Sequence, residues 1–221
     1  MAEPKKALCL TGWQQEREAL AGIVPADAQH FDYAAYSDAE TLFAALPREP
    51  DVAIGWSLGG QLLARAVSNG YIRPGLLILL AAPFQFIDEG TGSSIEQFNT
   101  IREHYVSHPS QMLAQFQALV ALGDNRQSQI ARSLLRTKTL WENGLYWLDE
   151  LARGSCKDMH FRRFPHTVIV YGENDKVIPP AQAALFAQHL PGAEMIMLPG
   201  CGHAPHLHDS VFLKDLIDSR V

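Results

Sequence analysis

The sequence predicts an α/β fold, a mostly parallel sheet flanked by helices and interrupted by one helical insertion. Three observations carry this. Over the first 85 residues, short apolar runs alternate with helix-patterned stretches, which implies a parallel sheet with right-handed crossovers. Residues 86 to about 164 then hold helix patterns without a convincing strand. From His166 the alternation resumes. The expected core is therefore residues 1–85 and 165–221, with 86–164 inserted into it as a helical lid or cap.

Taken in order, residues 7–11 read as a short buried strand that ends at Gly12-Trp13. Residues 14–20 suit a helix over the sheet edge, and 30–35 a strand. Ser37 is placed to cap a helix through Leu46, with Asp38 and Glu40 in its first turn; Pro47 and Pro50 end it. A strand over 51–55 is followed by a helix from Leu58 to about Ser68, closed by Asn69-Gly70. Residues 76–82 are continuously apolar, the pattern of a strand buried on both faces. Helices are expected over 94–104, 109–122, 126–141 and 145–152. Then follow a strand over 166–171, a helix over 180–190 that starts on proline, a strand over 194–198 and a last helix over 210–219.

Composition narrows the function. A chain of 221 residues builds one well-buried core and is short for two. A net charge of −6 argues against a nucleic-acid partner. Three cysteines, Cys9, Cys156 and Cys201, make no disulfide framework, so a reducing, cytoplasmic setting is expected. Only Ala7 to Leu10 form an apolar run after Lys5 and Lys6, too short for a signal peptide. No stretch approaches the roughly 20 apolar residues of a membrane span. A monomer without a membrane partner is the expectation.

Gly55-Trp56-Ser57-Leu58-Gly59-Gly60 joins strand to helix through a Gly-x-Ser-x-Gly pattern. In that context the pattern is a nucleophile elbow, a sharp turn that lifts the serine hydroxyl above the sheet. The Leu58 amide then lies at a helix N-terminus, where it can donate to a developing oxyanion. The Trp13 amide, in the turn after the first strand, is the candidate second donor. Asp175, in Gly172-Glu173-Asn174-Asp175-Lys176-Val177-Ile178-Pro179, and His203, in Gly202-His203-Ala204-Pro205, follow the two later strands. All these loops leave carboxyl ends of strands, the edge where sites form in open parallel sheets. A serine hydroxyl needs a histidine to take its proton, and the histidine needs a carboxylate to fix its tautomer. Glu173 is the rival acid. A metal site from His203, His206, His208 and Asp209 is the weaker reading, because no clear fourth ligand accompanies the spacing. No metal or organic cofactor is required by the serine chemistry.

These residues resemble the α/β-hydrolase superfamily, whose order of nucleophile, acid and histidine they follow. Within it the chain is similar to the pimeloyl-[acyl-carrier-protein] methyl ester esterases of biotin synthesis. The likeness rests on the elbow, on Gly12-Trp13 (with Thr11 where a histidine is usual), on Asp175 with Val177-Ile178-Pro179, and on His203-Ala204-Pro205. In the insertion, Phe116-Gln117-Ala118-Leu119-Val120 with Leu122-Gly123, and Gly144-Leu145 with Leu148, resemble lid segments. The resemblance implies a serine carboxylesterase that acts on the methyl ester of pimeloyl-acyl carrier protein. Its catalytic residues would be Ser57, Asp175 and His203. Its substrate would lie against Trp13, Ser57, Leu58, Phe116, Gln117, Ala118, Leu119, Val120 and His203, with Trp56 and Trp141 as further aromatic candidates. Arg126, Arg132, Arg136 and Lys138 form an acid-free basic stretch, and the three arginines are candidates to dock the acidic carrier. A broad carboxylesterase without a carrier, a C–C hydrolase, a cofactor-free haloperoxidase and an inactive binding module are the competing readings.

Overall fold

The computed structural model describes residues 6–134, 140–160, 162 and 164–220. Among the described residues the strands are β1 (Ala7–Leu10), β2 (Gln29–His30), β3 (Val52–Trp56), β4 (Leu76–Leu80), β5 (His166–Gly172) and β6 (Glu194–Leu198). They form one sheet in the order β2-β1-β3-β4-β5-β6, and every neighbouring pair is parallel. β1, β3 and β4 are buried throughout, which is why their sequences are apolar rather than alternating. The strand order reverses between β1 and β3, and the crevice above that reversal is where open α/β sheets place their sites.

The helices are α1 (Ala39–Ala45), α2 (Leu58–Ser68), α3 (Ile95–Ser107), α4 (Pro109–Ala121), α5 (Gln127–Leu134), α6 (Gly144–Arg153), α7 (Pro180–His189), α8 (Pro205–His208) and α9 (Ser210–Arg220). None of the described helices is long and apolar enough to cross a membrane. Arg65 is the only residue of α2 that is not buried, so this helix lies inside the molecule. Because β4 and β5 are neighbours, residues 81–165 leave the sheet and return to the adjacent position. Helices α3 to α6 occupy that excursion. They are tied to the core by the Trp13 indole N–H donating to Gly144 O (2.8 Å) and by a 2.7 Å ion pair between Arg65 and Glu150. Gln14 spans the same junction: its Nε2 donates to the Tyr105 hydroxyl (2.8 Å) and its Oε1 accepts from Trp141 N (3.2 Å).

Four local expectations need correction. Residues 14–20 form no α-helix; a single 3₁₀ turn covers Arg17–Ala19, and Gln14 sits at φ +57°. Tertiary bonds to Tyr105 and Trp141 hold Gln14 there, against helix propensity. The second strand stops at His30, because the Asp32 side chain accepts from Ala34 N and starts a 3₁₀ turn over Tyr33–Ala35. Asp38, not Ser37, caps α1, in a reciprocal box with Thr41. The helix expected over 126–141 is α5, which ends at Leu134; Leu140 and Trp141 are not helical, and 135–139 lie outside the described residues. The short α8, unforeseen, begins two residues after His203.

Candidate active site

The elbow is built by steric exclusion. Ser57 holds φ +54° and ψ −123°, a conformation that side-chain-bearing residues rarely adopt. Its amide donates to Leu80 O of the neighbouring strand at 2.8 Å. A Cβ on Gly59 would lie 2.3 Å from Thr11 O, so only glycine lets the start of α2 press against the end of β1. That approach brings the Leu58 amide towards the turn that carries the Trp13 amide. Among the described residues neither N–H donates to a carbonyl.

Ser57, His203 and Asp175 form one hydrogen-bonded relay. His203 Nε2 lies 3.0 Å from Ser57 Oγ, and Nδ1 lies 2.8 Å from Asp175 Oδ2. The other carboxylate oxygen accepts from the Val177 and Ile178 amides, each at 2.8 Å. Asp175 is thereby aimed with one oxygen at the ring and one locked into its own loop. All three residues are buried, His203 to 1% exposure. Glu173, the rival acid, turns away and accepts from Gly200 N at 3.0 Å.

The histidine loop is held from several sides. The Trp56 indole N–H donates to His203 O (2.8 Å), and His203 N donates to Val120 O at the end of α4 (3.3 Å). Asp124, in the turn after α4, is buried. Its Oδ2 accepts from Gly202 N and His208 Nδ1, both at 2.9 Å, and its Oδ1 accepts from Arg126 N (2.7 Å). Asn174 Nδ2 donates to Gly123 O (3.1 Å), so the same turn touches the acid loop. Sequence reasoning missed Asp124, since nothing local distinguishes a buried turn aspartate from a solvated one. The donor atoms of Asp124, Cys201 and His208 lie within 4.8 Å of one another, but the carboxylate already accepts three N–H groups. His206 and Asp209 do not join them. His206 packs at a tilt against Trp56, ring centroids 4.3 Å apart, and Asp209 accepts from Phe212 N.

The expected substrate residues divide. The Trp13 ring lies between Tyr105 (5.1 Å) and Phe116 (5.3 Å). Gln117 and Val120 are buried on α4, with Gln117 Nε2 unpartnered, and Leu119 is half-buried. Ala118 is exposed, because one helical step turns it away from that face. Trp56 is buried under the histidine loop rather than lining a pocket, and Trp141 packs on Tyr33 at 5.1 Å. Of the basic residues, Arg132 is exposed on α5. Arg126 is also exposed, but its guanidinium donates to His208 O and to Gln129 Oε1. Arg136 and Lys138 lie outside the described residues.

Residues 8–215 match the Alpha/beta hydrolase family. A pimeloyl-[acyl-carrier protein] methyl ester esterase from Nitrosomonas europaea is 28% identical over 165 residues, which cover 69% of this chain and 64% of that protein. The protein of the same name from Yersinia enterocolitica is 27% identical over 206 residues, 88% of this chain and 80% of the relative. The biotin biosynthesis bifunctional protein BioHC of Teredinibacter turnerae is 24% identical, with 75% and 32% covered. The chain therefore spans somewhat under two thirds of the first relative and about a third of the bifunctional one. Among solved structures, an esterase from Exiguobacterium antarcticum superposes with a TM-score of 0.74 at 17% identity, covering 98% and 93% of the two chains. A hydrolase from Oleispira antarctica gives 0.74 at 13% identity, with 99% and 91% covered. At these identities the superpositions speak for the fold.

Proposed function

Since the chain belongs to the alpha/beta hydrolase family, we propose that it is a serine carboxylesterase, and that its substrate is the methyl ester of a pimeloyl chain on an acyl carrier protein. The observation that carries the chemistry is the Ser57–His203–Asp175 relay, in which one imidazole contacts both partners. The curated relatives' names supply the substrate and the assignment to biotin synthesis.

In this reading Ser57 Oγ attacks the ester carbonyl while His203 Nε2 takes its proton. Asp175 accepts the Nδ1–H, fixes the tautomer and stabilises the imidazolium. The Trp13 and Leu58 amides receive the oxyanion, a contribution of about 10²–10³ in turnover per donor. Collapse expels methanol, protonated by His203. Water, deprotonated by the same ring, then releases the free carboxylate and restores Ser57. Helices α3 to α6 act as the lid over the acyl chain, with the Trp13 and Phe116 rings against it. Arg132, Arg126 and Arg136 would meet the acidic carrier.

The test is turnover of methyl pimeloyl-carrier protein beside a free p-nitrophenyl ester. Ser57→Ala should lower both by about 10⁴-fold or more. Arg132→Glu should raise KM for the carrier-linked ester alone. Turnover of the free ester only would leave a broad carboxylesterase without a carrier. That second reading is favoured by one observation: the Arg126 guanidinium is already engaged within the fold. Retained turnover in Ser57→Ala would refute both.

A further inference from the structure

The corner between α3 and α4 carries two histidines that the hydrolytic reaction does not use. His104 and His108 stand four residues apart at the end of α3, so they rise from one helix face. Their ring centroids are 5.6 Å apart, with 66° between the planes. His108 also begins α4, directly ahead of Pro109. Its amide donates to His104 O (2.8 Å) and its carbonyl accepts from Met112 N (2.9 Å), so its backbone is fixed by both helices.

The two rings are open to a ligand. His108 is exposed and His104 is half-buried. Among the described residues the His104 ring nitrogens make no hydrogen bond, and they are not sealed from solvent. The His108 ring is oriented by its neighbour. Ser107 Oγ carries one hydrogen and donates it to Glu103 O at 2.8 Å, a carbonyl that can only accept. The same Oγ lies 3.0 Å from His108 Nδ1 and is left to accept there, so Nδ1 holds the ring proton. Nε2 then presents a bare lone pair to solvent. A neutral imidazole with one nitrogen donating to a fixed partner and the other bare is the form that binds metals. One ion held about 2.0–2.1 Å from a nitrogen of each ring needs ring centres within a small side-chain rotation of the observed spacing. Arg102, the nearest cation in sequence, is paired with Asp149 at 2.7 Å. The Asp124, Cys201 and His208 group differs, because its carboxylate is already taken by three N–H groups. At the α3–α4 corner both donor nitrogens are unspent.

We propose that His104 and His108 chelate one divalent transition-metal ion of the class that prefers imidazole, Cu²⁺, Ni²⁺ or Zn²⁺, with water completing its shell. Mg²⁺ and Ca²⁺ require oxygen ligands and are rejected. The ion ties the last turn of α3 to the first residue of α4. Tyr105, beside His104, packs against the Trp13 ring at 5.1 Å and accepts from Gln14, so the braced helix is the one that touches the Trp13 turn. An ion bound only by the folded chain raises its stability.

Titration calorimetry of the intact chain with CuCl₂, NiCl₂, ZnCl₂ and MgCl₂ tests the site. The wild type should bind Cu²⁺ more tightly than Ni²⁺ or Zn²⁺, and should not bind Mg²⁺. One equivalent of metal should disappear in His104→Gln and equally in His108→Gln, whose thermal midpoints without metal should match that of the wild type. Ser107→Ala keeps both ligands but releases the tautomer, and should weaken binding about tenfold. His208→Gln should leave this equivalent in place. Zn²⁺ should raise the thermal midpoint of the wild type and of His208→Gln, and raise it less in the His104 and His108 variants. The proposal is overturned by wild-type isotherms without transition-metal binding, by glutamine variants that titrate like the wild type, or by Mg²⁺ binding as well as Zn²⁺.

Discussion

At the residue scale, His206 places a titratable ring where water does not reach. Burial, with His203 nearby, pushes its pKa down to about 3. In the unfolded chain the same ring titrates near about 6.5. Below that pH the unfolded state binds a proton that the folded state refuses, so stability falls as pH drops from about 6.5 and levels off near about 3. At pH 4.5 the loss is on the order of 2–3 kcal/mol. His206→Phe keeps an aromatic ring against Trp56 and should remove this part of the acid sensitivity. Denaturant midpoints at pH 7.5 and 4.5 measure it; an equal acid loss in both proteins would exclude His206 as the cause. The meeting of Ser57, Asp175 and His203 was legible, because each lies in the turn or loop that follows an apolar run, and strands can be recognised locally. Asp124 was not legible, since its burial is created by α8 and the histidine loop, which lie far away in sequence.

At the element scale, the turn after α4 couples the excursion between β4 and β5 to the histidine loop. Asp124→Ala would strand the Gly202 amide, His208 and the Arg126 amide, costing roughly 1–3 kcal/mol for each buried group left unpaired. Its thermal midpoint should fall, and kcat should drop about tenfold or more with KM little changed. Asp124→Asn should recover part of both, since one acceptor oxygen remains. A drop in the midpoint without any drop in kcat would show that His203 is held without this contact. The strands and the longer helices were readable from apolar patterning because burial on both faces leaves no ambiguity in β3, β4 or α2. Failures were concentrated between β1 and α1. There, single polar side chains, Gln14 and Asp32, direct the backbone through specific bonds that periodicity does not encode.

At the scale of the whole molecule, all three cysteines lie inside the fold. Burial pushes the Cys9 thiol up to about 12, and the Cys156 and Cys201 thiols higher still. At pH 8 none carries appreciable thiolate, so the native chain should resist iodoacetamide and take up three adducts only after unfolding. Mass spectrometry before and after denaturation checks this; an adduct on the native chain would mean that a segment opens. The parallel sheet itself was readable from the alternation of elements, whereas the strand order was not, because pairing partners are fixed only by packing.

The pairing of β4 with β5 across residues 81–165 also dictates an order of assembly. The serine turn is made from contiguous chain, β3 running directly into α2. Asp175 and His203 arrive only after a distant segment has been captured by the growing sheet, and such long-range closures are slow even though their entropic cost rises only gently with length. During refolding, native-like secondary structure should therefore return before hydrolytic competence, with the lag set by that single capture.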